Sequence, residues 1–207
     1  MVIDMQGDFV RSDGWFASLG IDVSAIQAVV PRLTRLLLTA RRVPDLAVVH
    51  TRQGNATNLR DLPLVKQEQG RRTCQPIGHR GPLGRGLIRG EEGWQIIPQL
   101  APVRGEVIVD KSGFSAFVGT DLEAWLKKNG RRSLIIAGVT ANVCVLATLY
   151  GAVDRGFDCL LLADGVAGAT PSATQTLLDL VRYQTGLFGS IATVDSVVTA
   201  LAGLAKY

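Results

Sequence analysis

Short apolar runs alternate with segments of helical periodicity along most of this chain. Runs of strand length occur at residues 46–50, 107–110, 133–137, 158–163 and 190–194. Apolar residues recur at helical spacing at residues 24–42, 121–129, 141–155 and 172–183. Such β-α-β alternation requires a parallel sheet with helices on both faces and right-handed crossovers. We therefore predict an α/β fold with three α/β/α layers around a six-stranded, mostly parallel sheet.

The chain is long enough for one domain with a sizeable core, since 47% of its 207 residues are hydrophobic. We predict a single domain over residues 1–207. The first strand-like run, residues 1–4, begins in mid-pattern. This predicts a first strand that is either unusually short or truncated at the N-terminus. Residues 51–105 break both periods with glycines and prolines, and a long structured loop of this kind is usually functional.

The charge distribution argues against a nucleic-acid partner. The formal net charge is +4, and most of the basic excess lies between Arg52 and Arg104. A basic segment attracts nucleic acid, yet this one lacks the interleaved aromatic residues of a nucleic-acid reader. We interpret it as a solvated surface or a subunit contact.

Cysteine content and hydropathy predict a cytoplasmic protein. Cys74, Cys144 and Cys159 form no C-x-x-C pair, and an odd count without a signal peptide indicates a reducing compartment. No apolar run approaches the roughly 18 to 20 residues that a membrane-spanning helix needs. We therefore predict no membrane segment.

Three reactive side chains follow predicted strands. Asp4 ends the first run, Lys111 follows the run at 107–110, and Cys144 lies just beyond the run at 133–137. Because the carboxyl ends of parallel strands meet in one crevice, we expect the three to converge. The carboxylate would take the thiol proton, and the ammonium would stabilise negative charge. Taken singly, each also fits a structural role, as a turn acid, a surface cation or a small buried side chain.

Cys144 lies at a predicted turn from strand to helix. We expect its thiol to face solvent, with its pKa lowered by the free N–H groups and the dipole of a helix N-terminus. The chain contains only two histidines, His50 and His79. A set of Asp, Lys and Cys needs neither of them, whereas a Cys-His mechanism depends on one.

Three separated segments resemble the motifs of one enzyme family, the isochorismatase-like cysteine hydrolases. They are VIDMQGDF at 2–9, VDK at 109–111 followed by residues 115–122, and GVTANVC at 138–144. The resemblance covers nearly the whole chain and implies a Rossmann-like α/β/α fold. It also implies that Asp4 is the general base, Lys111 the cation of the triad and Cys144 the nucleophile. Cys144 would form a thioester or carbamoyl-thioester, release ammonia and be freed by water.

The same resemblance implies a cis peptide bond without proline between Val139 and Thr140. In the family this bond precedes the nucleophile loop, and backbone N–H groups near Thr140 and Cys144 are implied to hold the oxyanion. Cys144 also argues against isochorismate hydrolysis, because family members with that activity lack the cysteine.

Further segments are similar to the branch of the family that hydrolyses biuret, triuret and ureidoacrylate. They are HTR at 50–52, DLP at 61–63, RGE at 89–91, GW at 93–94 and IIP at 96–98. Gln184 matches a substrate-contacting glutamine of that branch, and a solvent-facing residue at a helix end is the alternative. Phe9 is either a wall of the substrate pocket or an ordinary core residue. Departures that alter the expected pocket are Gln53, Asn55, Asn58 and Ala141.

Neither a metal nor an organic cofactor is predicted. The nicotinamidase branch has an Asp-x-His metal site with another histidine, and residues 50–58 lack that set. His50 is interpreted instead as a hydrogen-bonded structural residue.

We therefore predict a cysteine amidohydrolase that cleaves the C–N bond of a small carbamoyl or ureide compound. The predicted partner is thus a small-molecule amide substrate. One alternative is another small amide, such as an N-carbamoyl amino acid, a nicotinamide analogue or maleamate. A second is a catalytically silent member with a binding or regulatory role. The resemblance also implies a homo-oligomer, a dimer or tetramer, with contacts expected through residues 52–104 and the apolar tail at 197–204.

Overall fold

The structure is a computed structural model that describes residues 1–72 and 76–204, except for the side chains of Gln184 and Thr185. Its strands are β1 (Val2–Ile3), β2 (Val49–Gln53), β3 (Arg80–Gly81), β4 (Gly84–Arg85), β5 (Val107–Lys111), β6 (Ser133–Val139), β7 (Asp158–Ala167) and β8 (Ser190–Ala192). Its α-helices are α1 (Gly7–Val10), α2 (Trp15–Ser18), α3 (Ser24–Gln27), α4 (Val30–Ala40), α5 (Leu64–Arg71), α6 (Leu122–Lys128), α7 (Leu146–Val153), α8 (Pro171–Arg182) and α9 (Val194–Leu204). Short 3₁₀ segments lie at Pro98–Leu100 and Tyr183–Gly186, and a π-helical turn lies at Ala141–Val145.

Six strands form one sheet in the order β5-β2-β1-β6-β7-β8, and every neighbouring pair is parallel. The predicted six-stranded parallel sheet is confirmed. β1 has only two residues, yet it lies inside the sheet, where Val2 is in register with His50 and with Ala137. β3 and β4 form a separate antiparallel pair.

Helices cover both faces of the sheet and complete the three layers. On one face, α6, α7 and α8 bury Leu126, Leu149 and Leu177 in one apolar cluster. On the other face, α4 and α9 pack together and bury Leu33 and Leu201 in a second cluster. Within the described residues, no helix is long and apolar enough to cross a membrane.

One predicted helix is two helices in the structure. The pattern at 24–42 forms α3 and α4, with a turn at Ala28 and Val29 between them. Pro31 in the first turn of α4 explains the break, because proline has no N–H to bond the carbonyl of Gln27 and its ring clashes with that carbonyl.

Three other differences lie close to the reactive residues. The strand predicted at 46–50 is displaced to β2, which pairs with β5 from Val49 to Gln53. β2 buries Thr51 and Gln53, and hydrophobic periodicity does not detect buried polar positions. The helix predicted at 141–155 begins with the π-helical turn before α7, and the loop predicted at 51–105 contains α5.

Candidate active site

The ends of three strands bring the three reactive side chains together. Asp4 follows β1, Lys111 is the last residue of β5, and Cys144 lies in the π-helical turn after β6. All three are almost fully buried, with 0%, 1% and 3% of their surface exposed. The convergence expected at the carboxyl edge of the sheet is therefore present in the structure.

Both carboxylate oxygens of Asp4 accept hydrogen bonds. The Thr51 hydroxyl donates to Oδ1 over 2.5 Å and accepts from the Asp4 backbone N–H over 3.1 Å. The Lys111 ammonium donates to Oδ2 over 2.7 Å. The backbone of Asp4 has a φ of 49°, in the left-handed region that aspartate adopts more readily than most residues. These contacts hold the carboxylate in one orientation.

Lys111 is a buried cation held by an acid and a carbonyl. Its ammonium donates to Asp4 and, over 3.2 Å, to the carbonyl of Gly113. Burial by itself lowers the pKa of Lys111, but the negative charge and hydrogen bond of the Asp4 carboxylate raise it. Lys111 therefore carries its charge at neutral pH.

Cys144 differs from the expectation of a solvent-facing thiolate. Its pKa is raised, first by burial and then by the nearby Asp4 carboxylate, while Lys111 acts in the opposite direction. The thiol donates a hydrogen bond to Oε1 of Gln53 over 3.2 Å. The expected lowering by a helix N-terminus is overturned, because the side chain is desolvated beside a carboxylate. The resting group is a protonated thiol.

A second glutamine, Gln6, holds Gln53 in place, and the sequence by itself did not identify it as a site residue. Gln6 is fully buried and donates from Nε2 to the carbonyls of Gln53 and Trp94, each over 2.9 Å. Its Oε1 accepts from the backbone N–H of Gln53 over 2.7 Å. Gln6 lies inside the motif at residues 2–9, and that position was the only signal for it. Gln53 departs from the family pattern, and its contact with Cys144 is visible only in the structure.

The peptide bond between Val139 and Thr140 is cis. Val139 is fully buried, and Thr140 lines the cavity that Cys144 also lines. The Thr140 carbonyl accepts from the backbone N–H groups of Val143 and Val145, each over 3.1 Å. These bonds fold the chain so that Cys144 lies at the cavity.

The cavity lined by Cys144 has a volume of about 370 Å³. Gln53, Thr140 and Phe9 also line it. Phe9 packs edge-on against Phe16, with ring centroids 4.8 Å apart, so it is both a cavity wall and a packed residue. The side chain of Gln184 lies outside the described residues, and its contact with substrate stays a prediction.

The side chains of His50, Thr51 and Arg52 each form a hydrogen bond with an acidic side chain of the protein. His50 is buried, and its Nε2 lies 3.0 Å from Glu106. Burial lowers the pKa of His50, so its ring is neutral at pH 7. Arg52 forms two hydrogen bonds with Asp110, and its guanidinium lies 3.7 Å from the ring centroid of Trp94. Within the residues the structure describes, no group of three His, Cys, Asp or Glu side chains is arranged to hold a metal ion. The predicted absence of a metal stays a prediction.

A family model described as the isochorismatase domain matches residues 1–196 of this chain. A protein named ureidoacrylate amidohydrolase RutB, from Stutzerimonas stutzeri, is 28% identical over 206 residues, covering 98% of this chain and 82% of its own. A protein of the same name from Variovorax paradoxus is 26% identical over 204 residues and covers 98% and 80%.

Solved structures show the same architecture. An isochorismatase-like hydrolase from Alkaliphilus metalliredigens is similar with a TM-score of 0.74 and 26% identity, over 96% of this chain and 95% of its own. A cysteine hydrolase from Pseudomonas syringae pv. phaseolicola has a TM-score of 0.80 at 23% identity, over 98% and 91%, and this likeness concerns the fold alone. The motifs, the fold and the family match agree, and the chain therefore belongs to the isochorismatase family of hydrolases.

Proposed function

We propose that this protein is a cysteine amidohydrolase that cleaves the terminal C–N bond of a small carbamoyl or ureide compound. The observation that carries the proposal is the buried cluster of Asp4, Lys111 and Cys144 beside a cavity that Cys144 lines. The relatives named ureidoacrylate amidohydrolase support this reaction class. A protonated thiol next to a paired carboxylate also supports it, because such a thiol is activated only when a base takes its proton.

The first half of the reaction forms a covalent intermediate. The Asp4 carboxylate takes the Cys144 proton as Sγ bonds to the carbonyl carbon, and the C=O electron pair moves onto oxygen. Lys111 stabilises this negative charge, and the backbone N–H groups of Thr140 and Cys144 are the expected oxyanion donors. The C–N bond then breaks, and the leaving nitrogen takes the proton from Asp4 and departs as ammonia. An acyl or carbamoyl thioester remains on Cys144.

The second half of the reaction regenerates the thiol. A water molecule gives a proton to Asp4 while its oxygen attacks the thioester carbon, and the C–S bond breaks. The sulfur of Cys144 takes the proton back from Asp4. A simple amide yields a carboxylic acid, and a ureide yields a carbamate that loses carbon dioxide to leave an amine. Asp4 therefore transfers one proton in each direction during each half-reaction.

The test is ammonia release from biuret, triuret, ureidoacrylate, N-carbamoyl amino acids and nicotinamide. We expect turnover of at least one ureide or carbamoyl compound, and its loss in Cys144→Ala. Cys159→Ala is the matched control, because Cys159 is a second buried, free cysteine, which belongs to β7 and packs in the apolar core. It should retain activity.

Trapping the intermediate gives a second readout. Intact mass spectrometry after an acid quench should show an adduct on the wild type and on Cys159→Ala, but none on Cys144→Ala. Ammonia release that persists in Cys144→Ala would disprove the thioester mechanism. No turnover and no adduct with any of these compounds would favour the catalytically silent alternative.

A further inference from the structure

The cavity beside Cys144 has a wall of aromatic side chains. Phe9, Trp15 and Phe16 line it, and we call these three residues the aromatic wall. The rings of Phe9 and Phe16 meet edge to face, and the centroids of Trp15 and Phe16 are 5.7 Å apart. Leu19 and Leu87 extend the same apolar surface. A ligand that fills this part of the cavity gains by covering apolar area.

The backbone around the aromatic wall is shaped to hold these side chains in place. A Cβ atom at Gly86 would lie 2.3 Å from the ring of Trp15, so only glycine allows the indole to pack there. The next residue, Leu87, donates its backbone N–H to Asp8 over 2.7 Å, and Asp8 belongs to the same short helix as Phe9. Preformed apolar walls of this kind are typical of ligand sites.

A single cation faces the same cavity. Lys66 of α5 is the only charged side chain among the described residues that line it. The ammonium lies 4.0 Å from the ring centroid of Phe114, and it forms no ion pair with any carboxylate in the described part of the chain. A substrate anion bound at Lys66 would therefore give the ammonium a charged partner that the described residues do not provide.

Few polar side chains remain to bind a compact ureide. Beside Lys66 and Cys144, the described lining offers the polar side chains of Gln53, Gln69 and Thr140. One of these, Gln53, already accepts from Cys144. Buried amide groups without partners lose binding energy, so a ureide with donors on every side fits this cavity poorly.

From this arrangement we infer that the substrate carries its terminal amide or ureido group on a bulky apolar body that also bears a carboxylate. The apolar body lies on the aromatic wall, the carboxylate pairs with Lys66, and the amide carbonyl faces Cys144. This inference rests on the proposed function for its reaction, but it concerns the rest of the substrate. It places small ureides such as biuret among poor substrates.

Matched carbamoyl compounds test each part of the substrate separately. N-carbamoylphenylalanine has the apolar body and the carboxylate, N-carbamoylglycine lacks the body, and 2-phenylethylurea lacks the carboxylate. We expect kcat/KM for ammonia release to be about 100-fold higher for the first than for the second, since apolar pockets discriminate by size to this degree. Biuret should be slower still. Equal rates for N-carbamoylphenylalanine and N-carbamoylglycine, or biuret as the best substrate, would overturn the inference and leave the proposed function standing.

Lys66 variants test the anion. Lys66→Met should raise KM for N-carbamoylphenylalanine about tenfold with little change in kcat, because an ion pair is lost outside the reacting bonds. Lys66→Arg should restore most of the affinity, and 2-phenylethylurea should respond to neither variant. An equal loss with the uncharged urea would mean that Lys66 supports the site without binding a carboxylate.

Protection of Cys144 from iodoacetamide separates binding from turnover. We expect 3-phenylpropanoate to slow alkylation of the Cys144 peptide more than propanoate or 2-phenylethanol does, and Lys66→Met to remove that preference. This pattern without ammonia release from any compound would support the inference about binding while the proposed function fails. Equal protection by all three would contradict the inference, whatever the enzyme hydrolyses.

Discussion

At the scale of single residues, the site is organised around a buried ion pair. Asp4 and Lys111 lie 2.7 Å apart with both side chains fully buried. Burying either charge alone is costly, so each depends on the other and on the neutral donors and acceptors around them. Cys144 keeps its own proton, since burial and the Asp4 carboxylate raise the pKa of the thiol. The resting state is an ion pair beside a neutral nucleophile.

Replacing Asp4 by Asn is expected to increase alkylation of Cys144 by iodoacetamide at pH 7 while abolishing ammonia release. After burial, the Asp4 carboxylate is the next cause that raises the pKa of Cys144, so its removal lowers that pKa. A larger thiolate fraction at a given pH reacts faster. Hydrolysis stops because no base remains to move the proton. Mass spectrometry of the Cys144 peptide between pH 6 and 10 gives the rates.

The opposite substitution provides the control for this charge effect. Lys111→Met should slow alkylation, because the ammonium lowers the pKa of Cys144. In the wild type the alkylation rate should rise with pH only above the range of an ordinary thiol. Slower alkylation in Asp4→Asn than in the wild type at pH 7 would contradict this assignment, provided that circular dichroism shows both variants folded.

Thr51 is expected to position Asp4 without touching the substrate. Thr51→Val keeps the shape of the side chain but removes the hydroxyl that donates to Asp4 Oδ1 and accepts from its N–H. A hydrogen bond to a charged group contributes about 1.5–3 kcal/mol, so kcat should fall at least about tenfold with little change in KM. Thr51→Ser should recover most of the activity. A loss of the same size in Thr51→Ser would mean that packing, not the hydroxyl, is responsible.

At the scale of elements, the junction between β6 and the π-helical turn sets the position of Cys144. Gly138 near the end of β6 has a φ of +113°, and a Cβ atom there would lie 2.2 Å from the carbonyl oxygen of Ile3. β6 and β1 therefore approach too closely for any side chain at this position. Irregular helical turns of the π type are frequent at functional sites, and this one carries the nucleophile.

Gly138→Ala is expected to lower the free energy of unfolding by more than about 2 kcal/mol, because it combines an unfavourable φ with a backbone clash. Gly130→Ala is the matched control, since Gly130 also has a positive φ of +66° but has no atom within 4 Å of its added Cβ. It should cost about 1–2 kcal/mol, the usual cost of a left-handed φ for a residue with a Cβ atom. Urea denaturation measures both. Equal destabilisation would show that the close approach of β6 and β1 does not contribute.

At the scale of the whole molecule, the apolar tail at 197–204 is only partly available for a subunit contact, since Leu204 is 59% exposed. Val197 and Leu201 of α9 are buried in the chain's own core, where α9 packs against α4. Large apolar side chains are instead exposed on α5, where Leu64 and Val65 are 76% and 62% exposed. Neighbouring exposed apolar residues are typical of an interaction surface. The tail is therefore the weaker candidate for an oligomer contact.

We expect the protein to form a homo-oligomer, with a mass in solution that is a multiple of 22.1 kDa. The double substitution Leu64→Asp and Val65→Asp should shift it toward the monomer, because charges are costly to bury at an apolar contact. Val103→Asp is the control, since Val103 is 48% exposed outside α5. Light scattering after size-exclusion chromatography measures the mass. A wild-type monomer would disprove the expectation. An unchanged oligomer in the double variant would show that the contact lies outside Leu64 and Val65.

The amino-acid sequence by itself determined the parallel α/β architecture and the three reactive residues. Alternating strand-sized runs and helical periods are local signals, and short motifs after strands can be recognised without knowing their surroundings. The positions of Asp4, Lys111 and Cys144 at strand ends can therefore be predicted from local sequence, and the motifs around them agree with the family model that matches residues 1–196.

Only the tertiary structure decided the chemical state and surroundings of these residues. The Asp4 oxygens bond to partners 47 and 107 residues away, and the Cys144 thiol bonds to Gln53, 91 residues away. A pKa depends on burial and on such neighbours, so the sequence suggested an exposed thiolate where the fold buries a thiol. The aromatic wall and Lys66 likewise meet Cys144 only in the folded cavity, because contacts between distant segments carry no local period.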